Sequence, residues 1–76
     1  MKTNVSIKFN SIEEYREIEK KLIELGYVND RDWNEMQLKK GLKSHIDIDE
    51  DYEFSVFQKP YDNEKVYNSL QEFLKD

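Results

Sequence analysis

The chain has no cysteine, and among its 76 residues only two are glycine and one is proline. Without cysteine there is no disulfide to staple the fold, no thiolate nucleophile and no thiolate metal ligand. That usage fits a reducing compartment, and the expected location is cytoplasmic. With Gly26 and Gly41 far apart, no glycine-rich loop can cradle a phosphate. The single histidine, His45, has no second histidine or cysteine with which to build a zinc site. No nucleophile–base arrangement points to an enzyme. No run approaches the roughly 18 apolar residues of a membrane span. Met1-Lys2-Thr3-Asn4 leads into a strand pattern rather than an apolar signal core. Bases are outnumbered, 12 against 17 acids, for a net charge of −5. That balance disfavours attraction to nucleic acid or anionic membranes. No cofactor, metal, membrane or direct nucleic-acid contact is expected.

Charged residues make up 38% of the chain and apolar ones 37%, a composition that on its own borders on disorder. The apolar residues are periodic, however, and periodicity argues for a fold. Val5, Ile7 and Phe9 alternate with Ser6 and Lys8, which predicts a strand over 4–9. Ser11 and Glu14 form a capping box. Ile12, Tyr15, Ile18, Leu22 and Leu25 then make one helical stripe, and Gly26 stops the helix. Asp32 and Glu35 suggest a short second helix near 33–40 with Gly41 as its stop, and an irregular loop or a strand is the alternative for this segment. From Ser44 the period becomes two. Ile46 and Ile48, then Tyr52, Phe54 and Val56, predict a hairpin of 44–49 and 52–58 turning at Glu50-Asp51. Lys59-Pro60 ends it. Asp62 or Asn63 caps a last helix with Val66, Leu70, Phe73 and Leu74 as its stripe.

The order β-α-(α)-β-β-α predicts one α+β domain over 1–76. The expected architecture is a small two-layer sandwich, a three-stranded sheet with two main helices on one face. The other face would be open and carry Ser6, Lys8, His45, Asp47, Asp49, Glu53, Ser55 and Phe57. An exposed edge strand leaves a strand-paired homodimer as one option.

Asp47, Asp49 and Asp51 resemble the start of a calcium loop, but Tyr52 stands where that loop needs glycine and Gln58 where it needs glutamate. With Glu50 and Glu53 these acids form the densest charge cluster in the chain, just after Lys39, Lys40 and Lys43. An acidic face of this kind suits docking on a basic protein surface. Trp33, Phe57 and Tyr61, with Tyr27, lie outside the strongest stripes and are candidate interface anchors. The plainer reading is a solvated face and aromatics that close a small core.

The stretch "VSIKFNSIEEYREIEKKLIELGYVNDRDW", Val5 to Trp33, resembles a pattern common in small phage and prophage proteins. In that pattern a short strand leads into a capped helix, L-x-x-x-G-Y and a tryptophan. The resemblance implies an accessory protein acting in a host cytoplasm, an inhibitor or modulator that occludes a host protein or defence complex. The expected docking residues are Asp47, Asp49, Glu50, Asp51 and Glu53, with Trp33, Phe57 and Tyr61 as anchors. The alternative is a small-ligand or nucleotide-sequestering protein.

Overall fold

The alternating residues after Asn4 form β1, Val5–Lys8. Ser11 follows in extended backbone, and its hydroxyl accepts the Glu14 N–H at 3.1 Å. This satisfies one of the N–H groups that every helix start leaves unpaired. It opens α1, Ile12–Glu24, which buries Tyr15, Ile18 and Leu22. Gly26 ends the helix at φ +103°. The Gly26 N–H donates to the Ile23 carbonyl at 3.1 Å and the Tyr27 N–H to the Leu22 carbonyl at 3.0 Å. These two bonds close the helix through a left-handed residue, a conformation that carries no steric penalty for glycine.

The computed structural model describes residues 1–30, 38, 43–60 and 64–76. Beyond α1 it contains β2 (Val28–Asn29), β3 (His45–Ile48), β4 (Glu53–Phe57), β5 (Lys65–Tyr67) and α2 (Leu70–Lys75). The strands form one sheet in the order β2-β4-β3-β1-β5. β3 pairs antiparallel with both β4 and β1, while β2 lies parallel to β4 and β5 parallel to β1. β1 and β2 therefore run the same way, joined through α1, with the β3–β4 hairpin inserted between them. Helical crossovers are the usual link between parallel strands.

The mixed α and β character and the central hairpin agree with expectation. The sheet has five strands, however, and not three. Both additions are edge strands. The bonds that hold β2 include those from the Val28 N–H to the Tyr52 carbonyl and from the Asp30 N–H to the Phe54 carbonyl, each 2.9 Å. β5 replaces the expected start of the last helix. Val66 and Tyr67 pair with Ser6 and Ile7 of β1 instead of joining a helical stripe. The cap of α2 is Ser69, whose hydroxyl accepts the Glu72 N–H at 3.2 Å, rather than Asp62 or Asn63. The helix expected near 33–40 lies outside the described residues except for Leu38, which is buried.

One face of the sheet supplies Val5, Ile7, Ile46, Ile48, Phe54 and Val56 to the core, joined by the α1 stripe and by Phe73 of α2. Phe9 packs on Tyr15 with ring centres 5.4 Å apart, and Tyr67 meets Phe73 edge-on at 5.5 Å. Glu19 ties the helix to the sheet. Its carboxylate accepts from the buried Tyr15 hydroxyl at 2.9 Å, from Asn29 Nδ2 at 3.0 Å and from Arg16 at 3.2 Å. Burial, followed by the bond and charge of Glu19, holds the Tyr15 hydroxyl well above its ordinary pKa.

The other face follows the expected alternation, but its centre is not open. Ser6, Asp47 and Ser55 stand side by side across β1, β3 and β4. Ser6 is 0% and Asp47 7% exposed. Alternation assigns a residue to a face, whereas burial depends on what covers that face. Among the described residues no helix is long and apolar enough to cross a membrane.

Candidate functional site

The β3–β4 turn is built around Asp49. Its N–H donates to the Glu53 carbonyl at 2.9 Å, and its own carbonyl accepts the Tyr52 N–H at 3.3 Å. Its side-chain Oδ1 accepts the Asp51 N–H at 2.8 Å and the Glu53 N–H at 3.1 Å. An aspartate that bonds backbone groups just ahead of it fixes a turn without help from the rest of the fold. The loop Glu50-Asp51-Tyr52 ends in a left-handed residue, the three-residue hairpin form in which glycine usually takes that place. Here it is Tyr52, at φ +65°. A left-handed backbone costs about 1–2 kcal/mol for an L-residue with a Cβ.

Tyr52 was expected to point inward as the first residue of its strand. It instead precedes β4 and is 44% exposed. Its ring lies 6.3 Å from that of Tyr27, and its carbonyl receives the Val28 N–H. The strained residue thus has a structural task, anchoring β2, and also presents a phenol. Glu50, Asp51 and Glu53 are exposed around it. Val28, beside Glu53 in the β2–β4 register, is 58% exposed. The tip combines three outward carboxylates with an aromatic and an aliphatic side chain.

The eight residues singled out from the sequence do not form one patch. Asp49, Glu50, Asp51 and Glu53 share the tip, with the Asp49 carboxylate turned to its own backbone. Asp47, expected among them on an open face, is buried. Trp33 and Tyr61 lie outside the described residues. Phe57 is half-buried at the opposite end of β4, beside an open cleft of about 300 Å³ lined by Lys43, Gln58, Lys59 and Pro60. Tyr52 and Val28 were missed. The third loop position after Asp49 was a legible signal for Tyr52, but Val28 is set only by a pairing distant in sequence.

The sheet is therefore bipolar along its strands. Lys8 and His45 face each other at the Phe57 end, two residues from the Ser6–Asp47 pair. Burial, and then the Lys8 charge, push the His45 pKa down, while a bond to the Gln58 carbonyl acts the other way. The Ser44 hydroxyl donates to that same carbonyl at 2.7 Å.

Behind the tip, Asp47 is buried beside Ser6, and its Oδ1 has no hydrogen-bond partner among the described residues. Its pKa is pushed up to about 8, first by burial, then by the bond to Glu64 and the charges of Glu64 and Asp49. Among the described residues no group of three or more His, Cys, Asp or Glu is arranged to hold a metal ion. No family model, curated protein or solved structure matches this chain.

Proposed function

We propose that the chain is a non-enzymatic protein-binding module, a phage-type inhibitor or modulator that occludes a basic surface of a host protein or defence complex. The β3–β4 tip is its docking face. The observation that carries this reading is the locked turn, with Asp49 bonding its own backbone while Glu50, Asp51 and Glu53 surround an exposed Tyr52. A turn fixed before binding loses little entropy on docking. Outward carboxylates speed and orient an encounter with a basic partner, and an aromatic among them supplies an anchor. The resemblance over Val5–Trp33 supplies the host-directed setting.

The test is capture from host lysate by the wild-type chain and by the triple variant Glu50→Ser, Asp51→Ser, Glu53→Ser. The variant should fold and lose the partner, and wild-type capture should weaken with salt. Undiminished capture by the variant would remove the tip from the reading.

A second reading, a small anionic-ligand or nucleotide binder, is supported by the cleft where Lys43 and Lys59 flank Phe57. A thermal-shift screen with nucleotides separates the two. Ligand at 100 times its dissociation constant adds about 2.7 kcal/mol.

A further inference from the structure

The hairpin tip and the cleft beside Phe57 stand at opposite ends of the same two strands. In the β3–β4 register Ile48 faces Phe54 at the tip end, and His45 faces Phe57 at the other. The two ends carry opposite charge. At the tip, Glu50, Asp51 and Glu53 are exposed around the Tyr52 phenol, with the exposed Val28 beside them. At the far end, Lys8, His45 and Phe57 form one row across β1, β3 and β4. Lys8 and Lys59 are exposed there, and Lys43, Phe57, Lys59 and Pro60 line the open cleft of about 300 Å³.

We propose that the tip of one copy of this chain docks in the Phe57 cleft of a second copy, so that the chain associates head to tail. The two surfaces match in kind as well as in charge. The tip sets three carboxylates around one aromatic ring, and the cleft sets lysines around another. Opposed charges steer the encounter and fix its register. A phenol against a phenylalanine and a proline adds apolar contact in the middle of the charges. Asp49 has already fixed the turn, so little order is lost on docking. Tip and cleft are different surfaces of one chain, and each copy both gives a tip and receives one. The contact is therefore heterologous, and assembly continues past a dimer unless the rotation closes a ring.

Charge elsewhere does not cancel this match. α1 has the reverse order, with Glu13 and Glu14 in its first turn and Lys21 in its last, but it covers the opposite face of the sheet. Lys65, at the tip end of β5, is paired with Asp76 at 2.6 Å. The net charge of −5 does oppose association at long range. Screening separates the two effects, since the Debye length is about 30 Å at 0.01 M salt, about 10 Å at 0.1 M and about 3 Å at 1 M. At the lowest salt whole copies, 30 Å long, repel each other. At intermediate salt that repulsion fades while charge pairs in contact persist, and at the highest salt the pairs fade too. Association should therefore peak at intermediate salt. A tip of this size buries less than the roughly 1,000 Å² of a stable interface, so the contact is weak and needs concentrated protein.

The experiment is sedimentation equilibrium on the purified chain, which succeeds or fails separately from capture of a host protein. At intermediate salt the average mass of the wild type should climb with concentration to about twice that of one chain or beyond. The tip variant Glu50→Ser, Asp51→Ser, Glu53→Ser and the cleft variant Lys8→Gln, Lys59→Gln change exposed residues only, and each alone should stay at the mass of one chain. Their mixture should form a one-to-one dimer and stop there, because it holds one working tip and one working cleft. Dilution of the wild type should also move the NMR amide signals of 50–53 and 57–59 together. A wild type that keeps the mass of one chain throughout overturns the proposal, as does a mixture no heavier than its parts. Association that survives in either variant, as a dimer paired through edge strands would, overturns it as well.

Discussion

Replacing Asp47 by asparagine should make the protein more stable at neutral and alkaline pH while changing little in acid. In the folded chain Asp47 holds its proton up to about pH 8, whereas unfolded it releases it near 3.8. Its folded pKa is raised, so the folded state binds the extra proton between those values and stability falls as pH rises through that window. Each unit is worth about 1.4 kcal/mol. From pH 5 to 8 the wild type should therefore lose about 2–4 kcal/mol, the upper figure applying if the site does not relax or admit water. A chain of this length has a total stability of roughly 4–11 kcal/mol, so the loss is a large share. Urea unfolding is the assay, because urea leaves the charges unscreened. With a slope near 1 kcal/mol per molar, the midpoint should drop by about 2–4 M over that range. Asp47→Asn lacks the proton and should hold its midpoint. His45, whose folded pKa is lowered, acts the opposite way below pH 6.5, and the variant's own curve displays that contribution. Parallel curves for wild type and variant between pH 5 and 8 would refute the reasoning.

Glu19→Ala removes the acceptor of the buried Tyr15 hydroxyl and the partner of Asn29, and should cost about 1–3 kcal/mol in thermal or urea unfolding. Tyr15→Phe made in the same background should recover part of that loss, since it removes the orphaned hydroxyl. Tyr52→Gly relieves about 1–2 kcal/mol of left-handed strain but loses the contact with Tyr27 and adds chain entropy. Its unfolding midpoint should change little while partner capture weakens, and a large stability loss would mean that the side chain mainly supports the fold.

The elements legible in the sequence are those specified locally. The α1 stripe, its Ser11 cap and its Gly26 stop lie within 16 consecutive residues, and Tyr15, Ile18, Leu22 and both ends stand where the spacing puts them, whereas Leu25, the last of the stripe, caps the helix and is exposed. The β3–β4 hairpin was legible because Ile46, Ile48, Phe54 and Val56 alternate and all are buried. β2 was not, since two residues carry no period and Val28–Asn29 is strand only through its pairing with β4 and the carbonyl of Tyr52 just before it. β5 was misread because Val66 fits the helical spacing of Leu70 and Phe73, yet the Ser69-x-x-Glu72 signal that caps α2 is the same one that capped α1. At the site, the acidic turn could be read from composition alone. The burial of Asp47 could not, because strand alternation assigns it to a face and says nothing of what covers that face. The role of Asp49 as the turn's own acceptor was available from the residue type, an aspartate opening a tight turn.

The docking role of the hairpin tip is tested most directly by one comparison. Wild-type chain and the Glu50→Ser, Asp51→Ser, Glu53→Ser variant are immobilised at equal density and exposed to the same host lysate at low and moderate salt. Retention of a partner by the wild type, reduced by salt and lost in a variant that unfolds at the same urea concentration, is the expected result. Equal retention by both chains would contradict docking through the tip.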